Sequence, residues 1–388
     1  YNDHNISERI IPLKSYRVTD NDRLACAEAS KADPTASAVS VAAPKKKGAF
    51  GGMMKGMLGL PTITGSDATM DKDDYAVAAN MHIVGNGIAK QLVDNWFLDG
   101  DTIFSMKKVQ QRGLYAASAL DVETAKSSAR GMAMLEDAGE ELIGNTFVVV
   151  SRYRYMSKDE LVAEINAIAQ TAAQLAGGGY ASIGASAATI AIKASLGAGY
   201  YVKTTSYLFK LRWNPEIASA FYSELWDNRE AYDSSELFSL QYIGSESAWA
   251  NVKAGIFTDK PESELIRIAT VNASDAAIAK LAKNNDVFKT KTPLIVDGDG
   301  IYAKIGLKEG LEAGDRFEVL ERSYDENTGK TVYTKRGEVR VSKNQIWDNR
   351  YMADEELRLA GKEQEIEMTR FDGSAKGLYS GMLLRQIK

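Results

Sequence analysis

Two β-rich runs bracket a stretch without a single charged residue from Ile165 through Ile192, and no other feature narrows the possible folds as much. The first run is Thr146-Phe147-Val148-Val149-Val150, continued by Ser151-Arg152-Tyr153-Arg154-Tyr155. The second is Tyr200-Tyr201-Val202 followed by Tyr207-Leu208-Phe209-Lys210-Leu211-Arg212-Trp213. Both are rich in β-branched and aromatic residues and alternate toward their polar halves, as half-buried strands do. Ser157 and Glu160 between them form a capping box, so a helix carrying Leu161, Ile165, Ile168 and Leu175 leaves the first strand. The expectation is two sheet strands joined by a helical excursion whose Ala/Gly-rich part covers 165–199.

That excursion is long enough to span a bilayer, but Gly177-Gly178-Gly179, Gln170, Gln174, Ser182 and Ser186 leave it only weakly apolar. Small residues at this density suit close backbone packing against the domain, a second copy or a membrane element. Gly177, Gly179 and Gly184 come near a dinucleotide-binding fingerprint, yet the last spacing is wrong and the run follows a helix rather than a strand, so no cofactor is expected there.

Elsewhere the helical signals are ordinary. Val77, Met81, Val84, Ile88 and Leu92 make one apolar stripe over 73–96. Asp121 caps a second helix over 122–138, with Val122, Ala125, Ala129, Met132 and Leu135 on one face. Asn214-Pro215-Glu216 starts a third, with Ile217, Phe221 and Leu225 facing the core. Residues 237–243 read as a strand. So do 264–271, on β-branched content, with Ser274-Asp275 capping a short helix that bears Ile278 and Leu281. Thr292-Pro293 opens a β-rich region: 294–296, the turn Asp297-Gly298-Asp299-Gly300, 301–305, and a hairpin of 317–324 with 331–341.

The fold class expected is therefore α+β, a mixed helix and antiparallel-sheet main domain followed by a small β-barrel-like C-terminal module. The boundaries are an N-terminal edge segment at 1–26, a linker-like stretch at 27–71, the main domain at 72–291 and the module at 292–388.

Candidate chemistry is sparse. Cys26 is the only cysteine, so an intramolecular disulfide and a cysteine-built zinc site are both excluded. His82, the one histidine beyond the N-terminal tail, has no partner motif and reads as structural. The acid pairs Asp73/Asp74 and Glu140/Glu141 read as helix-end residues. Asp297 and Asp299 fail as a calcium loop, because Ile301 and Lys308 stand where ligands are needed. Catalytic, cofactor-binding and metal residues are accordingly none, and no enzyme is expected. A net charge of −5 argues against a general nucleic-acid binder. The chain begins at Tyr1 with no signal peptide, as either a processed product or a trimmed chain would.

The pattern Gly306…Gly310-Leu311…Gly314-Asp315…Phe317…Val319 resembles the small C-terminal β modules of bacterial cell-envelope proteins, including flagellar-assembly and curli-assembly-like families. The resemblance covers 292–345. It implies an exported protein, periplasmic or associated with the outer membrane, with a structural or assembly role. It implies protein–protein contacts with other envelope proteins or with itself, and no catalytic residue. Membrane contact would use 45–60, where Lys45-Lys46-Lys47 precede interleaved Gly, Met and Leu, or 165–199. The alternative is an oligomeric outer-membrane or pore-associated component in which 165–199 supplies the membrane or oligomer element.

Overall fold

The computed structural model describes residues 11, 13–31, 70, 73–100, 103–116, 139–175, 199–253, 260–325, 330–364 and 366–387. In chain order, a 3-10 turn (Leu13–Ser15) precedes α1 (Asp20–Lys31), α2 (Asp74–Gly85) and α3 (Ile88–Phe97). A two-stranded ribbon, β1 (Leu98–Asp99) and β2 (Ile103–Phe104), leads to α4 (Lys107–Ala116). Within the N-terminal edge segment at 1–26, the described residues form this turn and the start of α1, which runs on into the linker-like stretch. The rest of 27–71, apart from buried Met70, lies outside the described residues. The helix predicted over 122–138 lies outside them too.

The stripe predicted over 73–96 is two helices. Gly87 adopts φ +59°, and the N–H groups of Asn86 and Gly87 close onto the carbonyls of His82 and Val84 at 3.1 and 3.0 Å. A left-handed residue after the last turn is a standard helix stop. Asp73 caps α2 by accepting from the Tyr75 N–H at 2.9 Å.

The main sheet is antiparallel, in the order β3 (Phe147–Met156), β4 (Gly199–Leu211), β5 (Leu240–Lys253). Its first two strands are the two runs that stood out in the sequence, paired from Phe147 opposite Lys210 to Met156 opposite Tyr201. Between them α5 (Lys158–Leu175) starts with the predicted box: the Ser157 N–H donates to Glu160 Oε2 at 2.9 Å and the Glu160 N–H to Ser157 Oγ at 3.3 Å. Residues 176–198 lie outside the described residues. No helix among the described residues is long and apolar enough to cross a membrane.

β4 is buried on both faces because helices cover both. On one face Tyr207 and Phe209, with Val150 of β3, pack under α2, while Tyr201 and Met156 pack under Leu161 and Val162 of α5. On the other, Val202 and Ala250 receive Leu265, Ile268, Ala269 and Ala273 of a 23-residue helix, α8 (Glu262–Asn284). An aromatic cluster closes the end of the sheet. Phe97 lies 5.0 Å from Phe221 and Phe104 4.8 Å from Tyr232, ring centre to ring centre. It is built by α3, the ribbon, α6 (Pro215–Ala220) with its π-helical turn (Phe221–Leu225), and α7 (Arg229–Ser234). Asn214 caps α6 as expected, accepting from the Ile217 N–H at 2.8 Å.

Helix α8 corrects the strand expected over 264–271 and absorbs the short helix expected after it. Ile266, Ile268, Thr270 and Val271 give that segment strand-like composition. However, Ala269, Ala273 and Ala277 recur at helical spacing and are fully buried. Alanine has the highest helix propensity and lets a helix lie close on a sheet. Apolar residues occur around the whole helix because it is buried twice, by the sheet on one side and by the C-terminal module on the other.

The module is a seven-stranded antiparallel sheet in the order β6-β12-β9-β10-β11-β8-β7. Its strands are β6 (Lys291–Pro293), β7 (Ile295–Asp297), β8 (Gly300–Ala303), β9 (Arg316–Asp325), β10 (Lys330–Val341), β11 (Thr369–Asp372) and β12 (Leu383–Gln386). A short helix, α9 (Ala353–Leu359), is inserted between β10 and β11. The two strands at the ends of the order are consecutive in the chain, separated by Leu294 alone. The sheet therefore curls until its edges meet at Leu294, whose N–H donates to the Met382 carbonyl at 2.7 Å and whose carbonyl accepts from Gly381 at 2.9 Å. Inside lie Ile301, Phe317, Val319, Val339, Phe371 and Leu384.

Candidate interaction edge and the helix–module cleft

β3 forms an outer edge of the main sheet: it pairs with β4 on one side, and among the described residues no strand pairs with its other side. Edge strands are usually protected by lysine, proline, a bulge or a covering segment. β3 has no proline, no lysine and no break in its register with β4. Its two charges are drawn onto the α2 and α5 side: Arg152 stacks over the Tyr75 ring at 3.6 Å, and Arg154 pairs with Glu164 at 2.9 Å. Glu164 also takes Lys203, so the arginine is held in a three-charge cluster. On the opposite side of the strand Tyr153 and Tyr155 remain 41% and 57% exposed. Among the described residues this leaves an apolar, aromatic strand whose outer hydrogen-bonding edge no strand covers.

Behind the edge the α8 side of the sheet is polar at its centre. Ser151 and Ser206 are hydrogen-bonded at 2.9 Å, and Glu246 of β5 accepts from Asn284 at 2.7 Å. Burial pushes the Glu246 carboxyl up and the Lys280 ammonium down, and Lys280 donates to the Ser247 carbonyl at 2.8 Å. Asn284 and Lys280 thereby tie α8 to β5. Tyr207, beneath α2, donates to Asp73 at 3.1 Å, and burial raises its phenol well above the usual range.

The residues singled out in the sequence are dispersed. His82 Nδ1 lies 2.7 Å from the Tyr16 hydroxyl and 3.2 Å from Asn86 Nδ2, holding the N-terminal turn on α2. Cys26 is buried beneath α2, 3.7 Å from Asn80 Nδ2. Asp73 caps a helix, while Asp74 pairs with Arg23 at 2.7 Å. Glu140 accepts from Tyr222 at 2.5 Å. Asp297 and Asp299 are exposed at the β7–β8 turn, with Gly298 at φ +58°. Gly177 and its neighbours lie outside the described residues. Among the described residues no three histidine, cysteine or acidic side chains gather as a metal site would need.

Glu141 has a role that its position next to Glu140 did not reveal. It reaches Lys291 at 3.5 Å and the Tyr333 hydroxyl at 3.4 Å, and Lys291 sits 3.7 Å above the Tyr333 ring. With Lys283 on Asp315 at 3.3 Å and Arg267 over Tyr351 at 5.0 Å, it fastens the module to the main domain. Between α8 and the module a cleft of about 170 Å³ remains. Asp275, which the sequence places at a helix cap, stands in mid-helix and faces this cleft. An aspartate among the alanines and isoleucines of a buried helix was the available signal. No protein-family model matches the chain, and no curated protein was found to be similar to it.

Proposed function

We propose that this is a non-enzymatic protein of the bacterial cell envelope, with a structural or assembly role carried out through protein–protein contacts, and that its first contact is with a second copy of itself. The observation that carries the reading is the outer edge of β3. An antiparallel pairing of two such edges about Ser151 sets Tyr153 against Val149, Tyr155 against Phe147 and Arg152 against Val150. Aromatic and β-branched residues make favourable cross-strand pairs, and no two arginines fall directly opposite. A two-fold pairing of one patch with itself is the commonest route to a dimer. The envelope location rests on the turn pattern from Gly306 to Val319 and its resemblance to envelope modules.

Light scattering after size-exclusion chromatography tests it. The unmodified protein should run as a dimer at micromolar concentration. Tyr155→Lys, a change at an exposed site, should run as a monomer with its melting temperature unchanged. A monomeric unmodified protein, or an equally dimeric variant, refutes the edge as the contact.

A further inference from the structure

We propose that the cleft between α8 and the C-terminal module binds a free amino acid with a compact apolar side chain, its ammonium on Asp275 and its carboxylate on Lys308. The two residues come from different layers, α8 and the 3-10 turn Leu307–Glu309, and both line the cleft. Neither side chain makes a hydrogen bond or ion pair with any described residue, although their charges act on one another across the cleft. Opposite charges that share a cavity without touching leave a gap that a zwitterion spans, with a charge-assisted hydrogen bond at each end.

The neighbouring charges are already committed. Glu309 accepts from the Gly306 N–H at 2.7 Å and from Asn349 at 2.8 Å. Lys289 pairs with Asp286 at 2.6 Å and Lys283 with Asp315. One carboxylate and one ammonium are thus left for a ligand. The rest of the wall is mostly apolar, with Ile278, Leu311 and Phe317 among its residues, and Ile278 keeps 37% of its surface exposed. A cavity of roughly 150 Å³ accepts benzene, so a cleft of about 170 Å³ has room for one compact side chain. Burial raises the Asp275 carboxyl above its ordinary value, a cost that a ligand ammonium would relieve.

Calorimetry and thermal melting on the full chain decide it, with L-leucine as the probe. 4-Methylpentanoate (leucine without its amine) and isoamylamine (leucine without its carboxylate) are the controls. Leucine should bind saturably and raise the melting temperature. Each truncated analogue, and each of Asp275→Asn and Lys308→Gln, should weaken binding about tenfold or more, as loss of a charged hydrogen bond does. Both variants should melt no lower than the unmodified protein without ligand, so a loss of binding is not a loss of fold. Three results overturn the proposal: no saturation by leucine, valine or phenylalanine up to about 10 mM, undiminished affinity in Asp275→Asn, or isoamylamine binding as tightly as leucine.

Discussion

Gly306 should be replaceable by no other residue, and for a reason that differs from that of its neighbour Gly314. A Cβ at position 306 would lie 2.1 Å from the Trp347 carbonyl oxygen and 2.7 Å from Asn349 Oδ1. The backbone there is extended, so the obstacle is space. The atoms in the way are also committed: the Trp347 carbonyl accepts from the Leu307 N–H at 3.0 Å, and Asn349 Oδ1 accepts from the Lys308 N–H at 2.9 Å. Gly306→Ala must push the 347–349 segment outward. Overpacking of this kind costs about 1–3 kcal/mol, and each hydrogen bond lost about 1 kcal/mol more. A total of roughly 2–4 kcal/mol lowers the melting temperature of a module of this size by about 10 °C or more.

At Gly314 the opposite holds: φ is +88° and nothing lies within 4 Å of a built Cβ. Gly314→Ala should cost about 1–2 kcal/mol through backbone strain alone. Because asparagine tolerates positive φ better than other residues, Gly314→Asn should recover part of that loss, whereas Gly306→Asn should be at least as damaging as alanine. Calorimetric melting of the four variants is the assay. A Gly306→Ala protein melting within a degree of the unmodified one, or rescue by asparagine at 306, would refute the steric account.

Hydrogen bonds from Lys335 and Arg316 hold the Glu338 carboxyl down to about 2. Its contribution to stability is present above the unfolded value near 4.5 and lost as the pH falls toward 2. Carbon NMR of its carboxyl should show that low midpoint, and an ordinary midpoint would disprove the bonding. Ser157→Ala removes one half of the capping box on α5 and should cost about 1 kcal/mol in denaturant unfolding, against no change if the cap is idle. Ala273→Leu inserts three carbons where α8 meets Val202 and Ala250, with Ala273 fully buried. It should destabilise by about 1–3 kcal/mol, and a neutral result would mean that α8 stands off the sheet.

What the sequence determined by itself was whatever a few neighbouring residues decide. β-Branched and aromatic alternation marked β3 and β4, Ser157 with Glu160 and Asn214 with Pro215 marked two helix starts, and turn residues marked the β9–β10 hairpin and the Asp297–Gly300 turn. From these the α+β class followed, because each signal is complete within one turn of helix or one strand pair.

Only the tertiary structure decided the rest. Residues 264–271 have strand-like side chains yet are helical, since Ala269, Ala273 and Ala277 bury one face on the sheet while the module covers another. Gly87 splits one apolar stripe into two helices because the chain must turn to bury both Ile83 and Trp96. Glu141 became a link to Lys291 and Tyr333, and Asp275 came to face Lys308, through packing between distant parts of the chain. Charge and hydrogen-bonding partners depend on burial and on what lies across an interface, and that is set by the whole core rather than by sequence neighbours.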